Sequence, residues 1–324
     1  MMKTVNPSNI FPIQGSWQRK LKYGRRYLFY LFLKGFLGVV QRLSFEQAQI
    51  LGRTLGEVAF YLSPKLRRLG MANLEIAFGN QLSRKQKEQL LFSMFQHFGK
   101  MTLEWLVLPT LSQKEITDLI ENDPEATERL LEIFHQKERL IILTPHFGNW
   151  ELGGAWAAAK IPLYVVARRV YYEPINQIVV NLRAQLGMQT IYSRESPKKL
   201  FRALRDKAAV AILPDQHLKR MPGIWIPFFG KEALTITGPA TLSLATQTPL
   251  VPMFAVASGK KYKILMENPI EIPSHMNNKS KIEKIEALTL AWTKVFEKYI
   301  LQYPQQWAWI HRRWRPPKQS SKSK

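Results

Sequence analysis

From about residue 124 onward the chain alternates short β-prone runs with helical ones, and this alternation restricts it to few folds. Strands separated by helix-length segments cannot close as hairpins, so they enter a mainly parallel sheet with helices over its faces. The strand candidates are 139–144, 162–167, 189–192, 208–213 and 249–256, and 261–266 can add an antiparallel strand. Helical patterns occupy 150–159, 173–187, 197–206, 237–247 and 279–303. The expected fold class is α/β, a mainly parallel mixed sheet flanked by helices.

The first third reads as helix. Ser44-Phe45-Glu46-Gln47 has the form of a capping box, which opens a helix that ends at Ser63-Pro64. Pro64 is placed to begin the next helix, closed by Gly79, and Ser83 to Gln86 repeats the capping signature before a long amphipathic run that stops ahead of Pro109. We expect three regions: a basic and apolar N-terminal membrane-associated helix in 1–43, a catalytic domain over 44–315 (helical 44–123, α/β 124–315), and a disordered basic tail at 316–324.

Charge narrows the partners. Forty-seven Lys and Arg against 24 Asp and Glu leave a formal charge of +23, far from that of a neutral metabolic enzyme. Residues 1–45 hold eight of the basic residues and 311–324 hold six, with no acid in either stretch, so the ends supply 14 of the excess. The remainder lies in the body in pairs such as Arg168-Arg169, Lys198-Lys199 and Lys219-Arg220. Nucleic acid, anionic lipid and an acidic carrier protein are all compatible with it. The absence of cysteine excludes disulfides, Cys-based zinc sites and a thiolate nucleophile. No cleavable secretory signal is evident, because the apolar stretch starts well inside the chain. That stretch, YLFYLFL and GFLGVV interrupted by Lys34, falls short of the roughly 20 residues needed to span hydrocarbon. With basic residues before and after it, the segment 17–43 reads as a helix lying in one leaflet, Lys34 snorkelling to the surface, ahead of a single-pass span and of an ordinary buried core helix.

The candidate chemistry begins where Ile141-Ile142-Leu143 ends in His146, with a carboxylate, Glu151, five residues on. Five positions put two side chains about 140° apart on a helix, so the pair can meet only with His146 in the loop and Glu151 in the first helical turn. Asn149 as N-cap gives that layout. A carboxylate on one ring nitrogen then frees the other to remove a proton from an alcohol. Spacing alone fits equally a surface histidine beside a glutamate that complements the helix dipole. Position at the carboxyl end of a strand favours the site, since open α/β sheets bind ligands there.

The sequence His146-Phe147-Gly148-Asn149-Trp150-Glu151 resembles the HxxxxD/E motif of the glycerolipid and lipid A acyltransferase superfamily. Ala211-Ile212-Leu213-Pro214-Asp215-Gln216, Ile226-Pro227-Phe228-Phe229-Gly230 and Thr248-Pro249-Leu250-Val251-Pro252-Met253 resemble the later blocks of its lipid A late acyltransferases, in order and spacing. The likeness covers nearly the whole chain, with Glu151 in place of the aspartate of the general motif. It implies a glycerolipid-acyltransferase-like fold with an N-terminal membrane-anchoring helix. The implied activity is transfer of a lauroyl or myristoyl chain from acyl carrier protein to a hydroxyacyl hydroxyl of a lipid A precursor, at the cytoplasmic face of the inner membrane. Carried over, His146 is the general base and Glu151 orients its ring, no acyl-enzyme forms, and backbone N–H groups near Gly148 or a nearby Arg receive the oxyanion.

For the phosphates we single out Arg183, then Arg168 and Arg169 just after a strand end. Lys198, Lys199, Arg202 and Arg205 read as solvated surface charge. Asp215 either supports the site from behind or is an ordinary turn aspartate, and His217 reads as a loop residue. Trp225, Ile226, Phe228 and Phe229 either line an acyl groove or belong to the core. The implied partners are acyl carrier protein, a lipid A precursor and anionic inner-membrane lipids, with no metal and no cofactor beyond the acyl-carrier co-substrate. One rival is a glycerophospholipid acyltransferase, with the same dyad and a lysophosphatidate-type acceptor. Another is a nucleic-acid-binding protein, suggested by aromatic residues interleaved with Arg from Trp307 to Arg315. Basic ends around an apolar helix argue against the latter.

Overall fold

The computed structural model describes residues 17–193, 197–216, 222–272, 276 and 278–314. His217, Lys219, Arg220, Arg315 and the tail 316–324 lie outside the described residues.

Helix α1 (Trp17–Val40) is followed by α2 (Phe45–Leu62) and α3 (Pro64–Phe78), then by α4 (Arg84–Val107). The Ser44 and Ser83 capping boxes form as the sequence requires, each serine accepting from the N3 backbone while Gln47 or Gln86 reaches back. α2 and α4 pack backbone to backbone: a Cβ on Gly56 would stand 2.2 Å from the Phe95 carbonyl oxygen, so only glycine permits this approach. α5 (Gln113–Asp118) and α6 (Asp123–Lys137) complete the helical part. Among the described residues no helix is long and apolar enough to cross a membrane. Yet α1 leaves Leu28, Phe29, Phe32 and Val39 more than half exposed, and α2 does the same with Ile50, Tyr61 and Leu62.

The α/β part runs β1 (Leu140–Leu143), α7 (Trp150–Ala158), β2 (Leu163–Ala167), α8 (Glu173–Gln185), β3 (Met188–Tyr192), α9 (Pro197–Arg205) and β4 (Ala209–Ile212). Next come β5 (Gly223–Phe228), β6 (Lys231–Ile236), α10 (Gly238–Thr246), β7 (Leu250–Ser258), β8 (Lys261–Met266) and α11 (Lys281–Gln302). The central sheet has the order β3-β2-β4-β1-β7-β8, parallel except for β8, which pairs antiparallel with β7. All six strands of this sheet follow the sequence pattern. The expectation missed the β5–β6 hairpin, a separate two-stranded sheet.

β1 is buried on both faces, and its alternation splits the core. Ile141 and Leu143 join a cluster with Trp292 and Phe296 of α11, whereas Leu140 and Ile142 join one with Leu130 of α6 and Trp156 of α7. The hairpin joins the first cluster through Phe228 and Ala233, Ile226 is buried as well, and Phe228 packs on Trp307 and Trp314. None of Trp225, Ile226, Phe228 and Phe229 borders the active-site cleft described below, so they serve the core and its rim rather than an acyl groove. Trp307, Trp309, Arg313 and Trp314 are likewise buried. A stacking platform for bases needs exposed rings, which Trp307, Trp309 and Trp314 do not offer.

Candidate active site

β1 and β4 are neighbours, so the loops leaving their carboxyl ends meet. The first carries His146 and the second Asp215. Asp215 is 1% exposed, and its Oδ1 lies 2.7 Å from Nδ1 of His146, while its Oδ2 accepts the His146 backbone N–H at 3.0 Å and the Trp307 indole N–H at 3.0 Å. Burial alone would raise this carboxyl, but the attraction of His146 and its hydrogen bonds outweigh burial and hold it well below the usual carboxylate range. An ionised acceptor on Nδ1 fixes that nitrogen as the N–H, which leaves Nε2 as the basic one. The edge of Trp150 stands against the ring, centroids 5.2 Å apart.

Glu151 sits where the spacing requires, in the first turn of α7, behind the Asn149 cap, whose side chain accepts the Leu152 N–H at 3.0 Å. Its role differs from the expectation. Its carboxylate takes two N–H groups of Arg183, at 2.5 and 3.1 Å, and the Trp150 indole N–H at 3.2 Å, whereas no hydrogen bond joins it to His146 among the described residues. The ring is oriented by Asp215 instead, for a topological reason: Asp215 leaves the strand adjacent to that of His146, whereas Glu151 has already turned onto the helix.

The backbone N–H groups of the loop are also spent. Phe147 donates to Pro145, Gly148 to the Gln306 carbonyl at 2.9 Å and Asn149 to the Ala255 carbonyl at 2.9 Å. These three N–H groups therefore do not serve as oxyanion donors, and of the donors expected near Gly148 the Arg183 side chain borders the cleft described next.

Helix α4 braces the loop from behind. His97 donates its Nε2–H to the Gly148 carbonyl at 3.1 Å, because burial pushes its imidazole down to about 4 and keeps it neutral, and a carbonyl only accepts. Glu104, fully buried, accepts from Asn149 at 2.8 Å, from Gln49 at 2.6 Å and from the Tyr262 hydroxyl at 2.5 Å. Burial, then the Glu104 charge and this bond, raise the Tyr262 hydroxyl well above its ordinary value. Gly148 has φ +59°, and a Cβ there would stand 2.0 Å from the Ala255 oxygen. Sequence reasoning missed His97, Glu104 and Trp307. The first two carried a signal, since polar residues at 97, 100 and 104 share one face of an otherwise apolar helix surface.

A cleft of about 570 Å³ opens beside this loop, with His146, Trp150, Glu151, Arg168 and Arg183 on its polar side and Ile142, Val165, Met188, Leu200 and Leu242 among its apolar walls. That volume suits a small ligand or one long chain. The phosphate candidates separate: Arg183 and Arg168 border the cleft, whereas Arg169 does not, pairing with Glu173 at 2.8 Å and lying over Tyr192.

Residues 16–316 match the model of the bacterial lipid A biosynthesis acyltransferases. The chain belongs to that family. It is therefore an acyltransferase, an enzyme of the transferase class. It is similar to the lipid A biosynthesis lauroyltransferase of Escherichia coli K12, with 26% identity over 87% of this chain and 89% of that protein. It is also similar to the lipid A biosynthesis palmitoleoyltransferase of the same organism, with 25% identity over 96% and 99%. A third relative is the phosphatidylinositol mannoside acyltransferase of Mycobacterium tuberculosis H37Rv, with 22% identity over 70% and 71%. The cleft lies within the matched residues and brings together an imidazole, an apolar slot and guanidinium groups.

Proposed function

We propose that the protein transfers a lauroyl or myristoyl chain from acyl carrier protein to a hydroxyacyl hydroxyl of a lipid A precursor. The observation that carries this reading is the single cleft in which His146, backed by ionised Asp215, adjoins an apolar slot and the Arg168 and Arg183 side chains. Nε2 of His146 takes the proton of the acceptor hydroxyl as its oxygen attacks the thioester carbonyl. The tetrahedral oxyanion is met by an Arg183 N–H not engaged by Glu151, and Asp215 stabilises the imidazolium. The C–S bond breaks, the carrier thiolate takes the proton from Nε2, and the ester is free with no acyl-enzyme formed. Glu151 holds Arg183 in place, and Arg168 at the cleft receives a phosphate of the acceptor. No cofactor beyond the acyl-carrier co-substrate is needed.

The proposed location is the cytoplasmic face of the inner membrane, with α1 lying in the leaflet. Exposed Leu28, Phe29 and Phe32 beside exposed Arg25 support it, since apolar side chains flanked by cations suit an anionic lipid surface. The acceptor has one rival, a phosphate-bearing glycerolipid or glycolipid, favoured by the phosphatidylinositol mannoside acyltransferase among the relatives.

Mass spectrometry of a detergent-solubilised reaction with lauroyl or myristoyl carrier protein and a tetra- or penta-acylated lipid A precursor tests the reading. A gain of one acyl chain, absent with His146→Ala, supports it. Acylation of a lysophospholipid or mannoside instead moves the acceptor to the rival.

A further inference from the structure

Helix α9 has two faces with different neighbours. Leu200 borders the active-site cleft, and on the outer side Lys198, Phe201, Arg202 and Arg205 form, with Arg139 at the start of β1, a separate groove of about 540 Å³. Among the described residues no carboxylate lines this groove. The side chains of Arg202 and Arg205 are each 75% exposed and share one acid, Asp206, at 3.8 and 3.5 Å, an arrangement that leaves the cluster strongly positive. Nε of Arg139 is buried there without a hydrogen-bond partner among the described residues. Phe201, 41% exposed above buried Leu204, is an aromatic anchor amid the cations.

We propose that this groove is the docking surface for the acyl donor, an acidic carrier protein that lays an acidic helix along α9 and passes its thioester arm over Leu200 into the cleft. The inference rests on the reading that the donor is a carrier thioester, and adds where the carrier sits. Charge complementarity selects the partner: fixed cations around one aromatic anchor suit a negatively charged protein face. A bilayer would need a broad apolar surface, and in this molecule that surface lies on α1 and α2. Geometry agrees. On α9 the groove residues Phe201, Arg202 and Arg205 follow Leu200 within five positions, a rise of about 7 Å along the helix, so the groove and the cleft wall adjoin on this element.

The test uses the full-length protein in detergent and a holo-carrier protein. Its affinity by surface plasmon resonance, and KM with the acyl-carrier thioester, are compared for wild type, the double variant Arg202→Glu/Arg205→Glu and the charge-matched control Lys85→Glu/Lys114→Glu. The expected result is carrier binding weakened about tenfold or more, and KM raised in step, for the α9 variant alone. Turnover of an acyl-pantetheine thioester, which has no carrier to dock, and binding to anionic vesicles both stay at the wild-type level. Equal losses in the control, unchanged carrier binding in the α9 variant, or loss of vesicle binding instead would each overturn the docking site. If wild type neither binds the carrier nor uses its thioester, the donor reading itself fails.

Discussion

One carboxylate, that of Asp215, fixes both the ring and the backbone of His146, through Nδ1 at 2.7 Å and the main-chain N–H at 3.0 Å. A histidine held at two points can neither flip its ring nor slide along the loop, so Nε2 is committed to the cleft. Replacing Asp215 by Asn keeps the shape and removes the charge. We expect turnover to fall about 10²- to 10⁴-fold with little change in KM, as measured by steady-state acyl transfer. Unchanged turnover would mean that Asp215 is only structural.

Glu151 acts at one remove, through Arg183. Glu151→Gln leaves a weaker partner for the guanidinium, so the loss in turnover should be accompanied by a similar loss in Arg183→Lys. The double variant should then be little worse than either alone, because the two residues form one unit. Additive losses measured across this cycle would separate their roles.

The loop carrying His146 leaves no room at Gly148. Gly148→Ala places a methyl group 2.0 Å from the Ala255 oxygen at φ +59°, both unfavourable. We expect a loss of at least about 2 kcal/mol in unfolding free energy, read by chemical denaturation, together with loss of transfer.

His97 gives the fold a pH dependence. Its imidazole binds a proton at about 4 in the folded protein and near its ordinary value when unfolded, so between these the unfolded chain holds more protons. Stability therefore declines as pH falls from about 6.5 towards 4, by up to about 3 kcal/mol from this group, and is unaffected by it above 7. His97→Gln, which can still donate to the Gly148 carbonyl, should flatten that part of the curve in unfolding experiments at pH 4.5 and 7.5.

Phe29→Glu/Phe32→Glu on α1 changes side chains that are 54% and 65% exposed, so the fold should persist. Binding to anionic vesicles, measured by flotation, should drop about tenfold or more if α1 lies in the leaflet.

The strands and helices were legible because their periods and caps are local properties: Ser44, Ser83 and Asn149 do in the structure what their sequence neighbours require of them. The site was legible in part. His146 and Asp215 could each be found from the strand end it follows, Asp215 with an ordinary turn aspartate as the other reading, but their pairing could not, because the two are joined only by the side-by-side placement of β1 and β4. The same holds for Glu104, whose three partners come from α2, the Asn149 loop and β8. The β5–β6 hairpin was obscured by its aromatic residues, which read as easily as a ligand surface or as core.

The segment just before the C-terminal region holds the His146 loop from below: Gln306 accepts from Gly148, Ala308 donates to the His146 carbonyl, and the Trp307 indole grips Asp215. These residues follow His146, Glu151 and Asp215 in the sequence and are therefore synthesised after them. A nascent chain that has already released His146, Glu151 and Asp215 still lacks the strap that positions them, so competence arrives only once Gln306 to Ala308 have been made as well. A polypeptide truncated by premature termination before Gln306 would thus be inert in acyl transfer, a built-in guard against half-made enzyme.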